Sequence, residues 1–596
     1  MTSHRSLNVG ADSKIGSLSE LGFVLSQARV RRGMAIAACF FTLLEVAATL
    51  YFPLLTRALI DRLGQSTLSG TAVLGDPLVQ QLALVLIGAA IFAALSRYMI
   101  ASVGQNVIAQ LKSLLIERLV RLPVGYFDQT TSGDQASLIM NDTKALSQLV
   151  SREIIHLISG VLLLVGAAII LFSLDTGLAS ILFGVIGAAF LFSLPIIMTL
   201  AGVTHRVQRV TGELSSRLTQ IFSEIRMVKA FGGESMESAR GNRDVTILAK
   251  LAMRTARVES VLQPIMTLAV TFSMISILAY GGIRVSQGSL TAGTLTAFLL
   301  YVFSIVGPLA QISSFVSQLA SAKGASGRMA AVLRASPEVA VSYPAMTMLC
   351  KSPKPKDIRF EGVNFAYSGS DRPSLTIDRL TLEAGKKTAV IGPSGCGKST
   401  LLALIERFYQ PSTGQIYYGE DDIATLDLTN WRRRIGYVSQ STSMIAGSIR
   451  ENVTYGLETE ISDEVLHNAL RLARCSEFID KLPAGVDTIL GENGVGLSGG
   501  QCQRIGLARI FMRNPEILLL DEATSQLDEA NEHLVVDALR SLMHGRTSVF
   551  VTHRLSLVEK MDHIILLDSG NVVNTRVPGI YAEVHKSDHN FDGELL

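Results

Sequence analysis

Charged residues are scarce in this chain. Only 17% of its 596 residues are Asp, Glu, Lys or Arg, and 48% are hydrophobic, whereas soluble proteins carry about 25% charged residues. Nearly all of the deficit lies before residue 325, so the first half is not an ordinary soluble domain. A chain of this length exceeds one hydrophobic core, and at least two domains are expected. The net charge of +2 gives no sign of a polyanion-binding surface, so no nucleic acid partner is expected.

Cysteines are also few, and they form no recognisable pattern. No CxxC pair and no metal-ligand spacing occurs, which predicts reduced thiols on the cytosolic side or in the membrane. The five are Cys39, Cys350, Cys396, Cys475 and Cys502.

A cleavable signal peptide is not expected either, because residues 1–32 are polar and mixed and end in the basic ARVRR. This segment is predicted to contain an amphipathic helix lying on the inner membrane surface. An ordinary solvated helix is the alternative.

Long apolar stretches take the place of charge in the first half. A transmembrane helix needs about 20 mainly apolar residues. Six stretches qualify, at 33–56, 77–103, 154–174, 178–201, 260–283 and 291–322. The sequence therefore predicts an all-α transmembrane domain of six helices over residues 33–325.

Basic residues orient these spans. The long segments 104–153 and 205–257 are rich in Lys and Arg, so the positive-inside rule puts both segments and both termini in the cytosol. Their helical periodicity predicts extensions of the spans that reach away from the bilayer. Each is expected to turn at a short coupling element, at 126–143 and 221–234.

A second domain follows a proline-rich linker. Residues 326–356 hold four prolines, which break helices and favour extended chain. After Asp357 short strands alternate with helices, which predicts an α/β domain over 357–586 and a tail over 587–596.

The stretch TAVIGPSGCGKSTLLALI reads as strand, glycine loop and helix, the context that a phosphate-binding loop requires. Its glycines let backbone N–H groups turn inward around phosphates, and the helix N-terminus adds positive charge. Lys398 is predicted to reach the β- and γ-phosphates, and Ser399 to bind Mg²⁺. The predicted ATP-binding loop comprises Gly392, Pro393, Ser394, Gly395, Cys396, Gly397, Lys398, Ser399 and Thr400.

Two further strands end in residues suited to hydrolysis. The apolar run in PEILLLDEATSQLD, 515–528, predicts a central parallel strand. Asp521 at its end is placed to hold the Mg²⁺ shell, and Glu522 to polarise an attacking water. The strand SVFVTHR ends at His553, whose ring N–H is predicted to contact the γ-phosphate. A lone histidine is more often structural, but its position at a strand end favours this role, so Glu522, His553 and Lys398 are the predicted catalytic residues.

These motifs, in order and at their spacing, resemble the ATPase domain of ATP-binding cassette (ABC) transporters. Tyr367 matches the aromatic residue that stacks on adenine, Gln440 the glutamine at the metal site, and Asp528 the loop at the dimer seam. LSGGQ resembles the family signature, formed here by Leu497, Ser498, Gly499, Gly500 and Gln501. The spans likewise resemble those of bacterial half-size exporters, nearest to the Bacillus-type multidrug exporters and lipid flippases of the same fold.

The resemblance implies a homodimer, because in this family the signature of one copy faces the γ-phosphate held by the other. It implies ATP and Mg²⁺ as cofactors, and ATP-driven export of amphipathic, multidrug-type substrates from the cytosol or inner leaflet of a bacterial cell membrane. Membrane lipids and a small amphipathic or lipid substrate are the other expected partners. A lipid flippase, a peptide exporter and an ATP-gated channel or regulator are the alternatives, and intact Glu522, His553 and LSGGQ argue against the last.

Glu45 interrupts the first span. A carboxylate at membrane depth usually faces protein or a water-filled cavity, and it is functional by default. Glu45 is therefore a possible substrate site for a cationic group, or a proton site. A helix-packing hydrogen bond made by the protonated acid is the alternative.

Overall fold

The structure is a computed structural model that describes most of the chain. The described residues are 17–65, 76–338, 354–370, 372–439, 442–457, 461–491, 496–522, 529–552, 558 and 560–576. They fall into two compact units. The first comprises residues up to Val120 together with Thr131–Ala335, and the second comprises Arg121–Thr130 and the residues from Ser336 onward.

Helices form the first unit. In chain order they are α1 (Leu18–Ser26), α2 (Arg32–Gln65), α3 (Pro77–Val120), α4 (Val124–Phe127), α5 (Ser132–Ser137), α6 (Thr143–Gln148), α7 (Ile154–Leu174), α8 (Thr176–Ser223), α9 (Ile225–Ala230), α10 (Glu234–Ser286) and α11 (Ala292–Arg334). Of these, α4 belongs to the second unit. Two π-helical turns, Leu138–Asp142 and Leu149–Glu153, flank α6.

The longest helices exceed the thickness of a bilayer. With 48 and 53 residues, α8 and α10 are about 70 and 80 Å long, whereas the hydrocarbon core measures about 30 Å. Each of the six predicted spans falls on a separate helix: α2, α3, α7, α8, α10 or α11. Within the described residues, the first five carry stretches long and apolar enough to cross a membrane, while the apolar stretch on α11, Ala292–Pro308, is shorter.

Polar caps fix the ends of these long helices. The Asp175 carboxylate accepts a hydrogen bond from the Leu178 N–H at 2.9 Å, which begins α8, and it also pairs with Arg284. Thr291 begins α11 by accepting from the Thr294 N–H at 3.1 Å, and its hydroxyl donates to Asp61 at 3.0 Å. Each cap thus satisfies helix-end N–H groups and joins neighbouring helices.

The predicted linker begins too early. Helix α11 continues to Arg334, so the helix occupies the first part of the region 326–356. Met329 and Val332 are buried there, and burial of these apolar side chains favours continued helix up to the first of the linker prolines.

The predicted surface helix is described from Ser17 onward. A capping box between Ser17 and Glu20 begins α1. Leu21 and Val24 are buried, and the Arg334 guanidinium lies 4.6 Å from the centroid of the Phe23 ring. Part of the apolar surface of α1 therefore packs on protein, while Leu18 is exposed. The position of this helix on the membrane surface stays a prediction.

A mixed sheet forms the centre of the second unit. Its strands are β1 (Ile358–Phe365), β2 (Leu375–Leu382), β3 (Lys387–Ile391), β4 (Thr413–Tyr418), β5 (Asp421–Asp422), β6 (Ile435–Val438), β9 (Ile517–Asp521), β10 (Thr547–Val551), β11 (His563–Asp568) and β12 (Asn571–Arg576), and β7 (Gly447–Ser448) pairs separately with β8 (Ile489–Leu490). The order in the described sheet is β5-β4-β1-β2-β12-β11-β3-β10-β9-β6. The helices are α12 (Lys398–Ile405), α13 (Leu428–Arg433), α14 (Ile449–Val453), α15 (Asp463–Leu472), α16 (Ser476–Ile479), α17 (Gly499–Arg513) and α18 (Glu529–Met543).

The predicted central strand is confirmed. Strand β9 lies between β10 and β6, both parallel to it, and its residues 517–520 are fully buried. Strand β3 also runs parallel to β10, so β3 and β9 end at the same edge of the sheet. Strand β1 is antiparallel to both of its neighbours, β2 and β4, so the sheet of the predicted α/β domain is mixed.

Helix packing at Gly104 gives a stability prediction. A Cβ on this α3 residue would overlap Ser151, whose Cα would be 2.9 Å away. We expect Gly104→Ala to destabilise the solubilised protein by about 1–3 kcal/mol, because overpacking strains a core. Gly184→Ala on α8 is the matched control, since no heavy atom lies within 4 Å of an added Cβ there. Thermal unfolding measures both, and equal melting temperatures for the two variants would contradict the prediction.

Candidate functional site

The phosphate loop joins β3 to α12 and depends on two glycines. Gly397 caps α12 with φ of +103°, a backbone conformation that glycine adopts without strain. A Cβ at Gly392 would clash with the carbonyl oxygen of Leu567. The loop therefore closes tightly against the neighbouring strand, and the N-terminus of α12 opens onto it.

Lys398 extends its charge into this loop. Its ammonium donates hydrogen bonds to the carbonyl oxygens of Gly392 and Pro393, both at 2.8 Å. The side chain is buried, as is that of Cys396 beside it. Burial of Cys396 indicates a packing role for this thiol.

Ser399 and Asp521 meet at the edge of the sheet. The Ser399 hydroxyl donates to the Asp521 carboxylate at 3.0 Å. Burial raises the pKa of Asp521, and the charge of Glu522 adds to the rise, while the hydrogen bond from Ser399 and the charge of Lys398 oppose it. A hydroxyl and a carboxylate in this arrangement are hard oxygen donors of the kind Mg²⁺ prefers, so the residues present fit a magnesium–nucleotide site.

Glu522 follows directly and has an unusual backbone. Its φ is +46°, and its N–H donates to the carbonyl oxygen of Val551 on β10 at 3.0 Å. A left-handed conformation in a residue other than glycine costs of order 1–3 kcal/mol and is concentrated at functional sites. The strained residue directly follows Asp521, the last residue of β9.

Tyr367 lies in an aromatic cluster beside the loop. Its ring contacts those of Phe365 and Tyr409, with centroids 4.9 and 5.1 Å away, and its hydroxyl lies 3.1 Å from that of Thr400. The predicted adenine-stacking residue is thus adjacent to the phosphate-loop helix.

The signature residues begin a different helix. Ser498 and Gln501 form a capping box at the start of α17, in which the Ser498 hydroxyl accepts from the Gln501 N–H at 3.3 Å. Ser498 and Gly499 are exposed, and Leu497 packs on the core. Among the described residues, no hydrogen bond joins 497–501 to the phosphate loop, so the signature presents its helix N-terminus separately.

Three predicted site residues lie outside the described part of the chain: Gln440, Asp528 and His553. The structure brings together Tyr367, Lys398, Ser399, Thr400 and Asp521.

Tyr409 is a residue that sequence reasoning missed. Its hydroxyl donates to the carboxylate of Asp128, in the segment Arg121–Thr130. Burial raises its pKa, and the hydrogen bond with Asp128 raises it further. Because Tyr409 also contacts Tyr367, one ring connects the predicted adenine site to the first predicted coupling element.

Glu406 is a second such residue, and no sequence pattern marks it. It follows α12 and is 8% exposed. Burial raises its pKa to about 8; the charge of Arg432 opposes the rise, and that of Asp521 adds to it. A largely protonated acid therefore lies near Asp521 at neutral pH.

Known proteins match both units. The family model described as the ABC transporter transmembrane region matches residues 35–309, and the ABC transporter model matches residues 375–525. A multidrug resistance ABC transporter ATP-binding and permease protein of Lactococcus lactis subsp. cremoris is 33% identical over 88% of this chain and 87% of its own. This chain belongs to the ABC transporter family.

Other relatives agree on the architecture of this ABC transporter. An ATP-dependent lipid A-core flippase of Syntrophus aciditrophicus is 33% identical over 79% of this chain and 77% of its own. The structure of a bacterial Atm1-family ABC exporter with ATP bound has a TM-score of 0.79 and 27% identity, over 94% of this chain and 99% of that one. The protein therefore has the exporter fold, a transmembrane domain followed by a nucleotide-binding domain, and it is an ATP-hydrolysing transporter.

The protonated state of Glu406 gives a pH prediction. The raised pKa means that the folded protein retains this proton up to about pH 8, whereas the ordinary pKa of a glutamic acid is about 4.5. The resulting stabilisation is complete below about pH 4.5 and is lost as the pH rises through about 8. Glu406→Gln should therefore melt higher than the parent at about pH 9 and show a flatter decline from about pH 6. Melting curves across this range measure it, with the exposed Glu420→Gln as control. An unchanged pH slope in Glu406→Gln would refute the assignment.

Proposed function

We propose that this transporter is a homodimeric exporter that moves amphipathic, multidrug-type substrates out of the cytosol or inner leaflet. The observation that supports it most is the hydrogen bond of 3.0 Å from the hydroxyl of Ser399, which follows the buried Lys398 in sequence, to the Asp521 carboxylate. Such a site suits ATP, and the named relative from Lactococcus is a multidrug resistance transporter over nearly the same length.

Each residue of the site has a proposed role. Ser399, Asp521 and Gln440 hold Mg²⁺, which when bound neutralises charge on the β- and γ-phosphates. Lys398 compensates the charge of the same phosphates, and Tyr367 stacks on adenine. Glu522 accepts a hydrogen bond from the attacking water, and His553 donates one to the γ-phosphate.

The signature supports the dimer. Ser498 and Gly499 are exposed at the N-terminus of α17, and such a terminus favours an anion. In the proposed dimer this surface, with Asp528, completes the site whose loop belongs to the other copy. Neither copy then holds a whole active centre.

The proposed location is a bacterial inner or plasma membrane, with the nucleotide-binding domain in the cytosol. The basic segments 104–153 and 205–257 favour this orientation through the positive-inside rule. The helical extensions carry motion from the nucleotide-binding domain to the spans, which alternate between inward-facing and outward-facing states.

A lipid flippase is the second candidate. The named flippase from Syntrophus has the same 33% identity as the Lactococcus transporter. Both activities require an amphipathic substrate, so the two candidates share one mechanism and differ in cargo.

Complementation between inactive copies tests the composite site. Lys398→Ala and Ser498→Arg should each abolish nucleotide occlusion in homodimers. A mixed dimer of the two variants retains one intact pair, the Lys398 of one copy and the Ser498 of the other. Purified through two different affinity tags, mixed dimers should occlude one labelled ATP, whereas parent dimers occlude two.

The control for this experiment is a mixed dimer of Lys398→Ala with Lys386→Ala. Lys386 is exposed and precedes β3, so this dimer should also keep one site. Occlusion in a Ser498→Arg homodimer equal to the parent would show that each chain encloses its nucleotide alone.

The contact between Tyr409 and Asp128 gives a coupling prediction. Tyr409→Phe keeps the ring against Tyr367 but removes the hydrogen bond, and a bond to a charged group contributes about 1.5–3 kcal/mol. We expect ATP hydrolysis to continue while transport of a fluorescent cationic dye per ATP falls several-fold in proteoliposomes. Tyr417→Phe is the control, because it removes a tyrosine hydroxyl that, among the described residues, donates only to Gln415, two residues away on β4. Unchanged coupling in Tyr409→Phe would rule out this connection.

A further inference from the structure

A polar cavity of about 170 Å³ lies inside the first unit, where α2, α3, α7 and α11 meet. Ionisable side chains from three of these helices line it: Glu45 from α2, Arg97 from α3 and His156 from α7. Gln311 of α11 lines it as well. The cavity thus brings Glu45, the possible substrate residue, together with ionisable side chains of two other helices.

The cavity lies at one depth of the bundle. Arg97, His156 and Gln311 are each about 20 residues, or about 30 Å, from the ends of their helices at Pro77, Leu174 and Ala292. A hydrogen bond of 2.6 Å between Thr42 and Ser96 ties α2 to α3 at this level. In the proposed orientation those helix ends are on the outer side, so the cavity lies toward the inner leaflet.

The charges at this level are not joined to one another. Within the described residues, no hydrogen bond or ion pair involves the side chains of Glu45, Arg97 or His156, although the charge of Arg97 acts on the other two. The Gln311 Oε1 atom is buried and has no hydrogen-bond partner in the described structure. Charged groups at membrane depth are costly and functional by default. We therefore expect a polar ligand to enter the cavity and to form the missing hydrogen bonds.

Hydroxyl groups around the cavity are satisfied by contrast. Thr42 donates to the carbonyl oxygen of Ala38 at 2.9 Å, and Thr49 donates to that of Glu45 at 2.8 Å. Among the described residues that line the cavity, the side chains without hydrogen-bond partners are therefore the ionisable groups, which include both an acid and a base, and the amide oxygen of Gln311. An anion alone would bring a like charge toward Glu45, and a cation alone would bring a like charge toward Arg97, whereas a zwitterion offers each side chain an opposite charge.

The size of the cavity limits what it holds. Pockets that enclose a drug-sized ligand measure about 300–1,000 Å³, so this cavity of about 170 Å³ is too small to enclose a whole amphipathic molecule. That space suits a polar head group. Any tail of the ligand must then extend beyond the cavity.

We propose that this cavity binds the zwitterionic head group of an amphipathic substrate, with the ammonium at Glu45 and a phosphate or carboxylate at Arg97. His156 and Gln311 complete the polar wall. The inference rests on the proposed export function, because it assigns the polar end of the transported molecule. It keeps the cationic group that the sequence predicts at Glu45, in place of a proton or a helix-packing hydrogen bond, and adds an anionic group at Arg97.

Binding to the full-length protein in maltoside detergent, without nucleotide, tests the proposal. Calorimetric titrations compare dihexanoyl-phosphatidylethanolamine, dihexanoyl-phosphatidylglycerol and hexylammonium, which carry both charges, the anion only and the cation only. The zwitterion should bind at least about tenfold more tightly than either of the others, because each lacks one charge-assisted contact. Equal affinities for all three would overturn the proposal.

Three variants separate the charges from the shape. Glu45→Gln should lower the affinity for the ethanolamine lipid to that of the glycerol lipid, and Arg97→Gln should weaken both, with Arg97→Lys restoring part of the loss. Gly160→Ala changes no charge, but its Cβ would lie 3.3 Å from the Gln311 Oε1 atom. This variant should narrow the cavity and therefore lower the affinity for the ethanolamine lipid.

Glu213→Gln and Arg206→Gln are the matched controls, since both residues are on α8 and neither lines the cavity. They should leave all three affinities unchanged. Thermal unfolding shows whether each variant is folded. Retained selectivity for the ethanolamine lipid in a folded Glu45→Gln protein would overturn the proposal.

Competition identifies the source of the head group. Displacement of the bound lipid by glycerophosphoethanolamine, which has no tails, would assign a water-soluble zwitterion, and displacement only by tailed compounds would assign a membrane lipid. Displacement by neither would count against the site. ATP hydrolysis, measured separately on the same proteins, reports on the proposed export function, so the two hypotheses can fail independently.

Discussion

The parallel alignment of β3, β10 and β9 is the constraint on which the nucleotide site depends. Parallel strands end at one edge of a sheet, so the phosphate loop after β3 and the acids after β9 arrive together. The hydrogen bond from Ser399 to Asp521 connects the start of α12 to the end of β9 at this edge. Residues 517–520 are fully buried, which holds the register of β9 and therefore the position of the carboxylate at its end.

The membrane unit obeys a different constraint, the cost of placing charge in hydrocarbon. Its long helices begin at polar caps such as Asp175 and Thr291, which satisfy the N–H groups at the helix ends. Between the ends, the apolar runs leave few places for ionisable groups. Glu45, Arg97 and His156 share one cavity, as expected if the bundle tolerates charge only where a polar space is provided.

Much of this architecture could be predicted from sequence, because its chemistry fixes residue types at fixed spacings. The phosphate loop, the strand before Asp521 and each predicted span fall on the elements expected of them. Interactions between distant segments could not be predicted. The raised pKa of Glu406 depends on burial together with Arg432 and Asp521, and Tyr409 meets Asp128 across 281 positions of the chain. The packing of α1 against protein escaped prediction for the same reason, since its amphipathic pattern suits lipid or protein equally.

The grouping of Arg121–Thr130 with the second unit has a consequence for the modular use of this fold. The nucleotide-binding unit is discontinuous in sequence, and part of its surface is encoded within the stretch that also encodes the spans. A fragment beginning at the linker would lack the carboxylate that Tyr409 contacts. Chimeras that exchange this unit between relatives should therefore also exchange the segment Arg121–Thr130, so that Tyr409 keeps the carboxylate that it contacts.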